Sequence, residues 1–180
     1  MCNWILLKTI NSGRVASTVD YKVVILQTIC NRRMAHTFTV HSMVDGKFGP
    51  TPNGHYYQPV PYHNPTAKKR EDKNRWILTQ SEQYEVFEVA DTPDGDEGGR
   101  ECWLNDDGKG LFSMLDGCDY VLGKDNDERL AYFPTPANEQ DAWHGYPTDS
   151  EKIGDDLVEY WRQRQLISEI TYKRLLAHEL

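Results

Sequence analysis

The chain has 180 residues, a formal net charge of −8 at pH 7 and a mean hydropathy of −0.71, which suits one domain with or without an appendage. It has no apolar run of about 18 residues, so we expect no membrane-spanning helix. Its 5 Trp, 10 Tyr and 5 Phe argue against a disordered chain, and its acidic balance argues against nucleic-acid binding by the whole surface.

Residues 1–33 differ from the rest of the chain in charge, with five basic side chains and one acidic one. Two interpretations remain open. The change of composition at Arg32-Arg33-Met34 indicates a basic extension ahead of a start at Met34. Alternatively, the β-branched residues between 15 and 29 favour one or two extra strands. The apolar stretch at 4–7 is too short for a secretory signal.

Residues 34–148 predict a β-rich domain with long loops. Short apolar runs separated by Gly, Pro and Asp turns are typical of antiparallel strands. The alternation of Phe38 and Val40 predicts a half-buried first strand over residues 36–43. The further predicted strands are residues 76–78, 84–89, 101–104, 110–115 and 129–133.

The histidines were considered as metal ligands. His36 and His41 are placed on opposite faces of the predicted first strand, so they cannot share a metal. His55 and His63 flank a Tyr- and Pro-rich loop that can hold two imidazoles rigidly, although their spacing is not a standard zinc pattern. If the protein binds a divalent metal, its candidate ligands are His55, His63 and His144.

A basic run lies next to Trp76 and follows several tyrosines; it consists of Lys68, Lys69, Arg70, Lys73 and Arg75. Cations interleaved with aromatic rings are the local composition of a nucleic-acid or phosphate contact. The alternative is a mobile charged loop on an acidic protein.

The acidic residues are concentrated in the middle of the chain, where residues 76–149 carry 18 acidic and four basic side chains. Such an asymmetry can mark a surface for a partner, or simply solvated turns. The Asp-rich turns fit no EF-hand pattern. Residues 125–128 are therefore predicted to be a solvated turn.

Residues 141–147, with the sequence Asp-Ala-Trp-His-Gly-Tyr-Pro, are the strongest candidate for a functional segment. Asp141 precedes His144 by three residues, so its carboxylate can orient the imidazole of His144, which a histidine that acts as a general base needs. These two residues are the catalytic candidates if the protein is an enzyme. If it binds a partner, the contact residues are Trp143, His144 and Tyr146. The alternative is a structural junction in which the aromatic rings cover the core.

Residues 149–180 change to a helical period and predict a helical hairpin packed on the sheet. Asp149 or Ser150 is the predicted N-cap of the first helix, and Ser168 that of the second. Ile153, Leu157 and Trp161 form the apolar stripe of the first helix. The pattern of a helix, a Leu-Ile-Ser turn and a second helix resembles the short C-terminal hairpins of many bacterial proteins. This resemblance implies a bacterial or phage context and no activity.

The four cysteines, Cys2, Cys30, Cys102 and Cys118, form no Cys-x-x-Cys motif, which argues against a zinc ribbon or a thioredoxin-type site. We expect reduced thiols in a soluble, cytoplasmic protein. Whether Cys102 and Cys118 pair is left open by the sequence.

The sequence as a whole predicts an α+β fold, with an antiparallel sheet of short strands and a C-terminal helical hairpin. It carries no P-loop, no G-x-S-x-G and no H-E-x-x-H motif. The leading functional hypothesis is therefore a small acidic binding protein of the immunity, inhibitor or accessory type. It would have no cofactor, and its partner would be a protein, for which a basic surface is one option. The alternative hypothesis is a metal-assisted hydrolase or nuclease that uses the loop histidines.

Overall fold

The computed structural model describes residues 36–91 and 110–180. Within those ranges, three helices and three strands are connected by long irregular segments. Their bounds are α1 Gln80–Ala90, β1 Gly110–Met114, β2 Leu130–Pro134, β3 Tyr146–Thr148, α2 Asp155–Gln163 and α3 Glu169–Leu176. The predictions for residues 1–33, the strand at 101–104 and Cys102 lie outside the described residues.

The three strands form one antiparallel sheet in the order β1-β2-β3. In the β1–β2 pair, Gly110 lies opposite Pro134 and Met114 opposite Leu130. In the shorter β2–β3 pair, Tyr132 lies opposite Tyr146. The predicted α+β fold is confirmed, as are the two strands that the sequence placed at 110–115 and 129–133.

The sheet separates two apolar cores, because successive side chains of a strand point to opposite faces. Leu111 and Phe133 belong to the first core, together with the buried face of α1. Phe112, Met114 and Leu130 belong to the second core, together with the buried faces of α2 and α3. The part of the chain that the structure describes is therefore layered, with one helix on the first face of the sheet and a pair of helices on the second.

The predicted strand at 84–89 is wrong, because these residues belong to helix α1. Thr79 and Glu82 form a capping box: the Glu82 amide donates to Thr79 Oγ1 (3.4 Å), and the Thr79 amide donates to Glu82 Oε2 (2.7 Å). The buried side chains follow a helical spacing, Gln83, Tyr84, Val86, Phe87 and Ala90. The segment imitated a strand because Tyr84, Val86, Phe87 and Val89 all have a high strand propensity.

The predicted strands at 36–43 and 76–78 are also wrong. Residues 36–43 run irregularly over the surface, and Val40 is 92% exposed. Trp76 makes only an isolated bridge to Gly123. Its ring is fully buried, and its indole Nε1–H donates to the carbonyl of Gly145 at 3.1 Å. The Trp76 side chain therefore stabilises tertiary contacts between loops and does not extend the sheet.

The predicted C-terminal pair of helices is confirmed, with one correction. Helix α2 begins at Asp155 with Gly154 as its N-cap, so neither Asp149 nor Ser150 caps it. Ser168 caps α3 as predicted, since its Oγ accepts from the Thr171 amide at 3.1 Å. Ser150 is instead fully buried, and its amide donates to the carbonyl of Leu180 at 2.7 Å.

Cys118 is a buried free thiol whose Sγ lies 3.2 Å from the sulfur of Met114. Burial raises its pKa to about 12, which keeps it protonated and unreactive as a nucleophile. In the part of the chain that the structure describes, no helix is long and apolar enough to span the bilayer.

We predict that Trp161→Ala lowers the free energy of unfolding by about 3–5 kcal/mol, as measured by urea denaturation. Trp161 lies on α2, and its ring is fully buried in the second core, where α2 packs with α3 and the sheet. Ile170→Ala is the control, because Ile170 is 74% exposed and should change stability by less than about 0.5 kcal/mol. A loss below about 1 kcal/mol for Trp161→Ala would show that the ring is not a core residue.

Candidate functional site

Residues 143–147 run extended between the first core and a surface cleft. The Trp143 amide donates to the Tyr56 carbonyl, and the Trp143 carbonyl accepts from the Gln58 amide, both at 2.8 Å. The Trp143 ring is only 6% exposed and packs 5.8 Å from Phe87, measured between ring centroids. Trp143 is thus anchored in the core through both its backbone and its side chain.

Gly145 is the second anchor of this segment. A Cβ atom on Gly145 would lie 2.2 Å from the ring of Phe133, so no other residue fits without displacing that ring. Because side chains alternate along an extended chain, the intervening His144 and Tyr146 face the opposite way. Both line the cleft. The requirement for glycine at 145 therefore fixes the direction of the two functional candidates.

The other wall of the cleft comes from the 3₁₀ turn Pro61–His63 and from residues 71–74. His63 Nδ1 lies 2.6 Å from the carbonyl oxygen of Asn74. A carbonyl only accepts, so Nδ1 carries the proton and Nε2 of the neutral ring is an acceptor. The imidazole stacks on Tyr146 with ring centroids 5.0 Å apart. Asn74 Nδ2 also donates to the carbonyl of Pro147 at 3.0 Å, which joins the two walls.

The cleft has a volume of about 360 Å³ and brings together residues that are about 80 positions apart in the chain. We call it the His63–His144 cleft. Besides these histidines, Asn74 and Tyr146, it is lined by a tyrosine, two lysines and three carboxylates: Tyr62, Lys73, Lys152, Glu71, Asp72 and Asp149.

Burial lowers the pKa of both His63 and His144 below the ordinary value of 6.5. For His63, the hydrogen bond to Asn74 partly opposes this effect, while the nearby His144 adds to it. Both imidazoles are therefore neutral at pH 7. The cations of the cleft lie over aromatic rings: Lys73 Nζ is 5.9 Å from the Tyr62 centroid, and Lys152 Nζ is 5.1 Å from that of Tyr146.

His55, the third histidine proposed as a metal ligand, does not line this cleft. Its Nδ1 donates to the fully buried carboxylate of Asp91, at 2.9 and 3.0 Å from the two oxygens. The Thr51 hydroxyl donates to the same carboxylate. His55 thus fastens a loop to the C-terminal end of α1. Among the described residues, no group of three or more His, Cys, Asp or Glu side chains is arranged to hold a metal ion.

Asp141 lies on the surface and accepts a hydrogen bond from Asn138 Nδ2 at 2.8 Å. Among the hydrogen bonds of the described residues, none joins Asp141 to His144. The residue that the fold does bring to His144 is His63, from the other wall of the cleft. Of the three histidines that the sequence analysis groups as candidate metal ligands, the fold brings His63 and His144 to one cleft and leaves His55 outside it.

The placement of His36 and His41 on opposite faces is wrong, because the segment that carries them is not a strand. Both imidazoles face the carboxylate of Glu85 on α1. His36 Nε2 is 3.0 Å from Glu85 Oε1, and His41 Nε2 is 3.8 Å from Glu85 Oε2. His36 also lies 3.4 Å from Asp116. These contacts fasten residues 36–41 to the helix.

The residues of the basic run have two different environments: Arg75 and Lys69 contact Asp125, whereas Lys68 and Arg70 face solvent. Arg75 Nε and one terminal nitrogen lie 3.1 and 2.7 Å from the two oxygens of Asp125, and Lys69 Nζ lies 3.6 Å away. These hydrogen bonds hold the pKa of Asp125 at about 2. Lys68 and Arg70 are exposed and line a second cavity of about 370 Å³.

The sequence predicts that the turn at 125–128 is solvated, but the structure shows that part of it is buried. Glu128 is only 2% exposed, and its Oε2 accepts from the Asn126 amide at 3.2 Å. A Cβ atom on Gly123 would lie 1.9 Å from the same oxygen, so glycine is required there. This turn is a built part of the fold that presents Asp125 to Arg75.

Comparison with known proteins identifies no relative: no family model, no curated protein and no solved structure matches the chain.

We predict that lowering the pH from about 7.5 to about 5.5 reduces the free energy of unfolding, measured in urea, partly through His63 and His144. Their pKa values are lowered in the folded state. The unfolded chain therefore takes up protons first as the pH falls through 6.5, and stability is lost. The double variant His63→Gln, His144→Gln should show a shallower decline. Equal declines in the two proteins would contradict this assignment.

Proposed function

We propose that this protein is a binding protein that takes a polar group of its partner into the His63–His144 cleft. The observation that carries the proposal is the convergence of two neutral imidazoles, two tyrosines and two lysines from distant segments on one cleft. Two histidines whose pKa is lowered by burial, facing one cleft beside charged groups, are a feature of binding and active sites. The type we favour remains a bacterial or phage immunity, inhibitor or accessory protein.

The chemistry of the cleft suits a partner group that both donates and accepts hydrogen bonds. His63 Nε2 and the three carboxylates accept, whereas the ammonium groups of Lys73 and Lys152 donate. Trp143 is too deeply buried to contact a partner, so the binding role falls to His144, Tyr146 and the facing wall.

A second function has one observation in its favour. The Asn74 carbonyl holds His63 in a single tautomer and leaves Nε2 as a base, which is how general bases are oriented. With His144 beside it, the cleft holds one imidazole that can act as a general base and a second that can act as a general acid. This candidate retains the loop histidines of the hydrolase hypothesis, with His63 and His144 in the acid and base roles.

The binding proposal predicts ligand-dependent shifts of the imidazole NMR signals of His63 and His144. Four probes at up to about 10 mM cover the chemical classes: inorganic phosphate, guanosine 5′-monophosphate, arginine amide and glutamate amide. We expect at least one probe to shift both signals saturably, and His144→Ala to abolish the shift of the His63 signal without changing Tm. His178→Ala is the matched control and should leave the titration unchanged. If no probe shifts either signal, the cleft is not a binding site.

We further predict no hydrolysis of bis(p-nitrophenyl) phosphate or p-nitrophenyl acetate above the buffer rate, in EDTA or with added Mn²⁺. A binding protein has no reason to turn these substrates over. A measurable rate that falls by about 10²-fold in His144→Ala, with the fold intact, would instead establish acid–base catalysis. If that rate required Mn²⁺, the metal-assisted alternative would be supported.

A further inference from the structure

A second cavity adjoins the His63–His144 cleft, and Tyr62 belongs to the walls of both. We call it the basic groove; it is lined by Pro61, Tyr62, Ala67, Lys68 and Arg70. The 3₁₀ turn Pro61–His63 places the half-buried Tyr62 outward and the buried His63 inward. The Tyr62 ring therefore stands at the junction of a cationic groove and a cleft rich in acceptors.

The loop that carries the cations of the groove is fastened by contacts of the neighbouring residues, while Lys68 and Arg70 themselves are exposed. Asp125 binds Arg75 and Lys69, which fixes the loop at two points. Arg70 and Lys73 face each other across a short antiparallel bridge. Lys73 is thereby brought over the Tyr62 ring, while Arg70 lines the groove.

We infer that the basic groove and the His63–His144 cleft together bind single-stranded nucleic acid, with phosphates along Lys68 and Arg70 and an unpaired base on Tyr62. This inference rests on the proposed function and names the partner of the same cleft. Cationic grooves with aromatic platforms are the usual surface for single strands, because phosphates pair with the cations while bases stack on the rings. A base stacked on Tyr62 lies at the mouth of the cleft.

The two cavities differ in the part of a nucleotide that they accept. In the cleft, Glu71, Asp72 and Asp149 repel phosphate but accept hydrogen bonds from the N–H groups of a base. Neutral His63 Nε2 is a further acceptor. An acidic peptide offers carboxylates, which these three side chains would repel. A duplex hides the Watson–Crick edges and faces of its bases, which the cleft and Tyr62 require.

The acceptors of the cleft favour guanine over thymine. The Watson–Crick edge of guanine offers N1–H and an amino group to a carboxylate, whereas that of thymine offers a single N–H. We therefore expect a strand with one central guanine to bind about fivefold more tightly than the all-thymine strand, since an added hydrogen bond is worth about 1 kcal/mol.

The test is the fluorescence anisotropy of labelled eight-nucleotide DNA strands, all-thymine or with one central guanine, titrated with the full chain at several salt concentrations. The double variant Lys68→Ala, Arg70→Ala should weaken binding about tenfold and reduce the slope of log K against log salt by about 1.4, for two phosphate contacts on a single strand. Tyr62→Ala should weaken binding about tenfold through lost stacking, and Tyr62→Phe should restore it. Lys173→Ala removes an exposed cation from α3, outside both cavities, and should change the affinity less than twofold.

Three results would overturn the inference: no binding of either strand, equal binding of both strands, or equal loss from Lys173→Ala and the double variant. Tighter binding of a hairpin duplex or of a polyglutamate peptide than of the guanine strand would also overturn it. These failures are separable from failure of the proposed function. If arginine amide shifts the His63 and His144 signals while neither strand binds, the cleft is a binding site for another ligand.

Discussion

The extended run at residues 143–147 is the constraint on which the cleft depends. Trp143 is anchored by its ring and by two backbone hydrogen bonds, and Gly145 is pressed against Phe133 while its carbonyl accepts from Trp76. An extended chain held at alternate residues has no freedom left in the direction of the residues between them. His144 and Tyr146 are thus directed to the cleft by their neighbours. The burial of Trp143 and Gly145 in the first core therefore sets where these two polar side chains lie.

Buried or half-buried carboxylates hold the irregular parts of the fold. Asp91 binds His55 and Thr51 at the end of α1, and Asp125 binds Arg75. The described residues before α1 form isolated bridges rather than a strand ladder, such as Phe48 with Tyr57, so these side-chain anchors supplement a small number of backbone hydrogen bonds. Removing one partner of a buried ion pair leaves the other uncompensated, which costs more than the pair itself contributes. The acidic character of the middle of the chain is therefore partly structural.

Features encoded by neighbouring residues could be predicted from the sequence, and features encoded by distant ones could not. The two strands ending in Met114 and Pro134 and the helical pair with its Ser168 cap are local patterns. Helix α1 was missed because its residues 84–89 are rich in side chains of high strand propensity, although the Thr79-x-x-Glu82 capping box was a usable signal. The sequence indicated residues 141–147 as a candidate segment and grouped His144 with His55 and His63, but it could not tell which of these histidines the fold brings together. The pairing of His144 with His63 arises from the packing of loops about 80 residues apart.

Strand β3 is only three residues long and pairs with β2 alone among the described strands. Its first residue, Tyr146, stacks on His63 in the cleft, and its last, Thr148, is fully buried opposite Leu130. Opening of this edge strand and loss of the cleft wall are therefore the same event. By thermodynamic linkage, any ligand that requires Tyr146 in place must also hold the sheet edge closed. A ligand bound in the cleft would then slow the hydrogen exchange of the backbone amides that pair β3 with β2.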